Sequence, residues 1–232
     1  MARLSPREYS GVVGTVVGVA AGACGAAVVL NDDHGVAAPR HREASGAVAS
    51  SSTTNCSSQV EQRLLQVADF WFADRHTLNE VHELVAKGTS HLKYWTFPIC
   101  AAVLYMPPWA QATTGQDVIT ASTAKELQLV YLRGVSAQAF RDSTTQIIQS
   151  NGLLTPGVAS ALERFNRLYR DVKTGDKYAL SFDPKSDLVQ LRLNDKMLGG
   201  VSGAEFSEAL FSVWFGDKPF MERLKHDLLS GS

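Results

Sequence analysis

The sequence predicts an α+β domain, an antiparallel sheet covered by helices on one face, preceded by an apolar N-terminal segment. Three observations predict it. Apolar positions alternate with polar or small ones at Tyr178, Leu180 and Phe182, and again at Val189, Leu191 and Leu193, with a polar loop at 183–187 between them; alternation of this kind marks strands with two unlike faces. Helix start signals stand where the alternation stops, at Ser136, Thr155-Pro156 and Ser202-x-x-Glu205. The elements also come in runs: a helix, strands, two helices, strands, two helices. Such runs pack as α+β rather than as alternating βαβ units.

The bulk numbers agree with one domain and a tail. The chain has 232 residues, enough for one substantial core. Lys plus Arg total 22 and Asp plus Glu 23, so no net field attracts nucleic acid or acidic substrates. No basic run accompanies Trp71, Trp95, Trp109 and Trp214, which read as core or cleft wall, not as base-stacking platforms. Cys24, Cys56 and Cys100 share no metal or redox spacing, and their odd number argues against a disulfide framework.

No charged residue occurs between Glu8 and Asp32, and residues 11–30 are mostly Gly, Ala and Val. As a helix this segment spans roughly 30 Å, the hydrocarbon thickness of a bilayer. Gly14, Gly18, Gly22 and Ala26 fall on one helical face, which lets a partner transmembrane helix approach closely. Residues 1–31 therefore read as a membrane anchor or a targeting segment, cleaved in the second case. Arg3 and Arg7 before the segment and Asp32-Asp33 after it would keep the N-terminus on the cytosolic or matrix side. Residues 32–56, rich in Ala, Ser, Thr and Gly, read as a flexible linker.

The domain occupies residues 57–232. Ser58-x-x-Glu61, followed by Val60, Leu64, Val67 and Trp71, predicts a helix near 58–73. A strand follows at 80–86, then a turn at Lys87-Gly88-Thr89-Ser90. Residues 92–106 form a dense apolar run that Pro98 bulges or breaks and Pro107-Pro108 ends. Lys125–Arg133 reads as a strand covered in part on both faces. Ser136 caps a helix that Asn151-Gly152 stops, and Thr155-Pro156 starts the next. After the strands around 178–198, a second capping box at Ser202-x-x-Glu205 starts a helix lined by Phe206, Ala209, Leu210, Val213 and Trp214. A last helix near 218–229 buries Phe220, Leu224 and Leu228.

One ordered set of residues reaches further. Gly175-Asp176, Asn194, Leu198-Gly199, Gly203-Ala204-Glu205-Phe206, Trp214-Phe215-Gly216, Pro219, Leu224-Lys225 and Leu228-Leu229 stand in an order that resembles the C-terminal half of the chalcone isomerase-like family. Gly88-Thr89, the strand Ala101–Met106, Leu129–Arg133 and Phe140 extend the resemblance over roughly residues 80–230. It is closest to the bacterial and organellar branch. The resemblance implies an open-faced sandwich with a lipophilic cleft. It also implies where an isomerase would keep its tools: an arginine just after the first glycine turn, aided by Tyr, Asn and Thr side chains. Those positions fall on Leu92, with Lys93 beside it, and near Cys100, Ala139, Gln146 and Val213. A lysine supplies charge but not the planar fork of arginine. The resemblance therefore predicts a copy without the isomerase constellation, since no arginine stands where enolate charge develops.

The residues expected to meet a ligand are Lys93, His91, Trp95, Phe97, Tyr105 and Arg133. Lys93 would meet an acid group, and Trp95, Phe97 and Tyr105 would line an apolar wall. His91, at the mouth of the family's cleft, is the candidate axial ligand if the molecule is haem. No histidine falls in a metal-binding motif, and Ser143, Thr144 and Thr145 lack acid and base partners. The leading expectation is a membrane-tethered, non-catalytic protein binding a fatty acid or haem, held in the mitochondrial inner membrane through residues 11–30. The alternatives are an accessory structural subunit of an organellar inner-membrane complex, joined through a partner helix, and an intramolecular lyase of chalcone isomerase type. No certain cofactor and no nucleic-acid partner is expected.

Overall fold

The structure, a computed structural model, describes residues 63–231. β1 (Leu64–Val67) and β2 (Phe70–Ala73) form a two-stranded hairpin of their own. β3 (Arg75–Leu78), β4 (His82–Tyr94), β5 (Phe97–Met106), β6 (Lys125–Tyr131), β7 (Lys177–Asp183), β8 (Leu188–Leu193) and β9 (Lys196–Ser202) build one antiparallel sheet. Spatial order equals sequence order, so the sheet is a meander. The short helix α1 (Gly115–Thr120) lies between β5 and β6, while α2 (Ala137–Ser150) and α3 (Pro156–Asn166) lie between β6 and β7. α4 (Ala204–Phe215) and α5 (Glu222–Leu229) follow β9.

Side-chain alternation divides the sheet into two unlike faces. Leu92, Cys100, Ala102, Leu104, Met106, Leu127, Leu129, Tyr178, Leu180, Val189 and Leu191 point into a core shared with the helices. α4 is apolar nearly all round and sits at the centre of that core, with Phe206, Leu210, Phe211 and Phe215 buried. The other face carries Ala101, Val103, Tyr105 and Val130, which pack with Val67, Phe72, Leu78 and Leu84 beneath the β1–β2 hairpin. The expected antiparallel sheet with helices on one face is present, and a small hairpin covers part of the other face.

Several local expectations need correction. The helix expected near 58–73 is a β-hairpin in its described part. Val67 and Phe72 are buried while Leu64 and Trp71 stay mostly exposed, so the apolar spacing follows a period of two over strands too short to reveal it. Ala68 adopts φ 54° to make the turn. The turn expected at 87–90 lies inside β4, where the register slips between Ala86 and Gly88. That glycine is there for close packing: a Cβ on Gly88 would sit 2.1 Å from the Leu228 carbonyl oxygen. The capping box expected at Ser202 does not form. Gly203 occupies the cap position with φ 133°, and Glu205 instead accepts a 2.8 Å hydrogen bond from the Thr155 hydroxyl. α1, which the sequence reading passed over, is opened by a capping box of Thr114 with Asp117 in place of the usual Glu. The caps at Ser136 and Thr155 form as expected.

Among the described residues no helix is long and apolar enough to cross a membrane. The apolar segment 11–30, the linker 32–56 and the start of the expected helix at 58 lie outside the described residues.

Candidate functional site

The face opposite the helices holds a cleft of about 370 Å³ between the β1–β2 hairpin and the sheet. Phe70, Trp71, Phe72 and Ala73 form its roof. Its floor comes from the strands beneath: Tyr105 from β5, and Gln128 and Val130 from β6. His76 of β3 enters from one side; Gly175, Lys177, Asn194 and Asp195 form the rim at the far end. The roof stays in place partly because the Tyr105 hydroxyl donates to the Ala73 carbonyl at 2.7 Å. Burial, and then the negative charges of Glu126 and Asp74, push the Tyr105 phenol well above its ordinary pKa, so it stays a donor.

Strand pairing places a polar row beside the cleft floor. Tyr105 pairs with Glu126, Glu126 with Ser181, and Ser181 with Gln190, so one row across the open face is polar. Glu126 is only 1% exposed. It faces His76 Nε2 at 3.4 Å and Arg192 Nη1 at 3.7 Å, and accepts from Gln128 Nε2 at 2.6 Å. Glu126 Oε2, His76 Nε2, Ser181 Oγ and Gln190 Oε1 are buried without a hydrogen-bond partner among the described residues. Buried polar atoms are usually paired, so this row retains hydrogen-bonding capacity.

A second polar group closes the curl of the sheet. Asn79 Nδ2 donates to Asp183 Oδ2 at 3.1 Å, His82 Nε2 lies 3.0 Å from Asp183 Oδ1, and Arg192 Nη2 donates to Asn79 Oδ1 at 3.1 Å. Burial alone would raise the Asp183 carboxyl. Hydrogen bonds from the Lys185 amide, Asn79, Ser186 and His82 outweigh it and hold the pKa down at about 2.

The helix-covered face is packed at three of the positions where the resemblance places isomerase tools, Leu92, Cys100 and Val213, while Gln146 is exposed. Leu92 and Val213 are buried in the core. Burial pushes the Cys100 thiol up to about 12, which leaves it an inert core side chain. Nearby rings fill the space: Tyr131 meets Phe140 edge-on at 5.3 Å, and Phe140 stacks on Tyr169 at 5.4 Å.

The residues expected from sequence to hold a ligand do not form one group. Tyr105 is buried in the cleft floor. His91 shares its face, pairs with Ala101, and has a buried Nε2 without a hydrogen-bond partner among the described residues. Lys93, Trp95 and Phe97 stand together at the exposed β4–β5 turn, where Trp95 is 87% and Phe97 63% exposed. Arg133 lies half-buried in the loop after β6. Sequence reading took Trp71 as core or cleft wall but missed Phe70, Phe72, His76, Gln128 and Lys177. The signal for the roof was Phe70-Trp71-Phe72 directly after Asp69, an aromatic strand behind a turn residue. The signal for the floor was the polar half of the β6 alternation.

Among the described residues no group of three or more His, Cys, Asp or Glu side chains could hold a metal ion. A search of curated protein sequences finds no match. Among solved structures, a fatty-acid binding protein from Arabidopsis thaliana matches with a TM-score of 0.55 and 14% identity, over 72% of this chain and 96% of that one; at that identity the likeness concerns the fold. A family model described as chalcone isomerase-like matches residues 65–230. Together with the meander, its helix-covered face and the ordered motifs of the last third, that match makes this chain a member of the chalcone isomerase-like family.

Proposed function

We propose that this protein is a membrane-tethered, non-catalytic member of its family that binds a lipophilic carboxylate in the cleft beneath the β1–β2 hairpin. The observation that carries this reading is the cleft itself: three successive aromatic residues line a space that also meets Gln128, Lys177 and His76, whose buried Nε2 has no hydrogen-bond partner among the described residues. Apolar walls with a few convergent polar groups are the usual form of a small-molecule site. The acyl body lies along Phe70, Trp71, Phe72 and Val130. The acid group meets Lys177 at the rim, displacing Asp195, which now pairs with it at 2.9 Å. That ion pair is partly exposed and costs little to break.

The volume supports an acyl chain over a tetrapyrrole. About 370 Å³ lies near the lower end of the roughly 300–1,000 Å³ range of ligand sites. The fatty-acid binding relative in fold supports the same class of ligand. The non-catalytic part rests on Leu92: a buried leucine cannot polarise a ketone. Attachment through residues 11–30, in the mitochondrial inner membrane, belongs to the same proposal and rests on the sequence.

The test is extraction of the full chain in mild detergent, followed by mass spectrometry of bound small molecules and an absorbance scan for a Soret band. Fatty acid that co-purifies with the wild type and is lost in Trp71→Ala supports the reading. A Soret band without bound acyl chains replaces the carboxylate with haem. A ligand-free protein that takes up neither removes the binding function.

A further inference from the structure

The β4–β5 turn is too exposed to be a cleft wall and too apolar to be an ordinary loop. We propose that this turn is a membrane-docking tip that enters the headgroup region of an anionic lipid bilayer, with Trp95 and Phe97 as the inserted side chains and Lys93 as the cation beside them.

Trp95 occupies a two-residue turn between the paired Tyr94 and Phe97. Its φ is 57°, a left-handed conformation that favours Gly, Asn or Asp and disfavours a bulky side chain. Nothing inside the protein repays that choice, because the indole is 87% exposed. Phe97 and the neighbouring Pro98 are exposed too. Tryptophan is suited to the boundary between water and hydrocarbon, and lysine reaches back from it to the headgroups.

Charge indicates which surface is met. No Asp or Glu occurs between Glu83 and Asp117, so from Leu84 through the tip to Met106 the β4–β5 hairpin carries only positive charge. Another cation sits at the same end of the sheet: Lys196 begins β9 and is exposed. Asp195 beside it pairs with Lys177, so that pair adds no net charge, and Asp176 accepts from the Lys173 amide and Asn194. Met197, 44% exposed, adds an apolar side chain at the β8–β9 turn of that end. Surface cations near a bilayer favour anionic lipid.

The docking tip is separate from the tether. The experiment incorporates the full chain into vesicles of phosphatidylcholine and phosphatidylglycerol in which brominated phosphatidylcholine quenches nearby indoles. Flotation measures attachment; fluorescence reports insertion. Trp109 serves as an internal control, since it lies past the far end of β5 and is 72% exposed. We expect Trp95→Phe to remove most of the quenching and Trp109→Phe to leave it. Lys93→Gln, or omission of the anionic lipid, should reduce quenching without preventing flotation. Flotation with quenching unchanged in Trp95→Phe overturns the docking tip and leaves the tether intact. A chain that does not float overturns both.

Discussion

Asn79 and Asp183 lie 104 positions apart, yet their side chains hydrogen-bond at 3.1 Å across the open face of the sheet. Asn79 sits in the β3–β4 turn and Asp183 ends β7, three strands beyond β4 in the meander. On a flat sheet β4 and β7 would be separated by roughly 14 Å. The bond therefore reports how strongly the sheet curls, and His82 and Arg192 reinforce it from either side.

Asp183 should dominate the acid limb of stability. Its folded pKa, about 2, lies below its unfolded value. The stabilisation is thus present above the unfolded value and lost as pH falls toward 2. It amounts to ~2 kcal/mol. Denaturant melts of Asp183→Asn should show that loss at neutral pH and a flatter stability curve below about pH 4. A variant that keeps the wild-type acid profile would show that the curl is held elsewhere.

Lys125 predicts a second rise of stability with pH, on the alkaline side. Its ammonium is buried against Phe211 and donates to the carbonyls of Val118, Ile119 and Ala121 at the end of α1. Desolvation, opposed in part by Glu208, lowers its pKa to about 8. The unfolded chain keeps that proton to about pH 10, so this residue makes stability rise between the two values. Thermal melts across that window should lose the rise in Lys125→Met.

Gly88→Ala should destabilise the fold by about 1–3 kcal/mol or more, because the added carbon meets backbone of α5 and not a side chain that can turn away. Faster hydrogen exchange in α5 than in α3 would locate the damage.

Tyr105→Phe removes one buried hydrogen bond to the hairpin and should cost about 1 kcal/mol. The sharper readout is amide exchange in β1 and β2, which should accelerate while the helix-side core stays protected.

Trp71→Ala should leave stability nearly unchanged, since the side chain is 62% exposed. It should weaken acyl-chain binding by roughly tenfold to a hundredfold, through loss of apolar contact area. Titration with a fluorescent fatty acid compares the two proteins directly.

The sequence made most of the sheet legible because each strand from β6 onward has two chemically different faces, and because Ser136 and Thr155 are strong caps. It misread the β1–β2 hairpin because four-residue strands carry too few residues to separate a period of two from a helical one. The site was harder to read. His76, Gln128 and Lys177 reach one cleft from β3, β6 and β7, and only the pairing register brings them together. Lys93, Trp95 and Phe97 looked like a cleft wall because apolar density in sequence does not say which end of a hairpin projects into water.

The seat of α5 on β4 has a temporal meaning as well. Gly88 packs against Leu228, and Ser90 donates to Asp227 at 2.8 Å across 137 positions of chain, so an early strand is completed by residues that emerge from the ribosome much later. Until α5 is made, β4 must wait with that side uncovered. Closing so long a loop makes this layer a late step of folding.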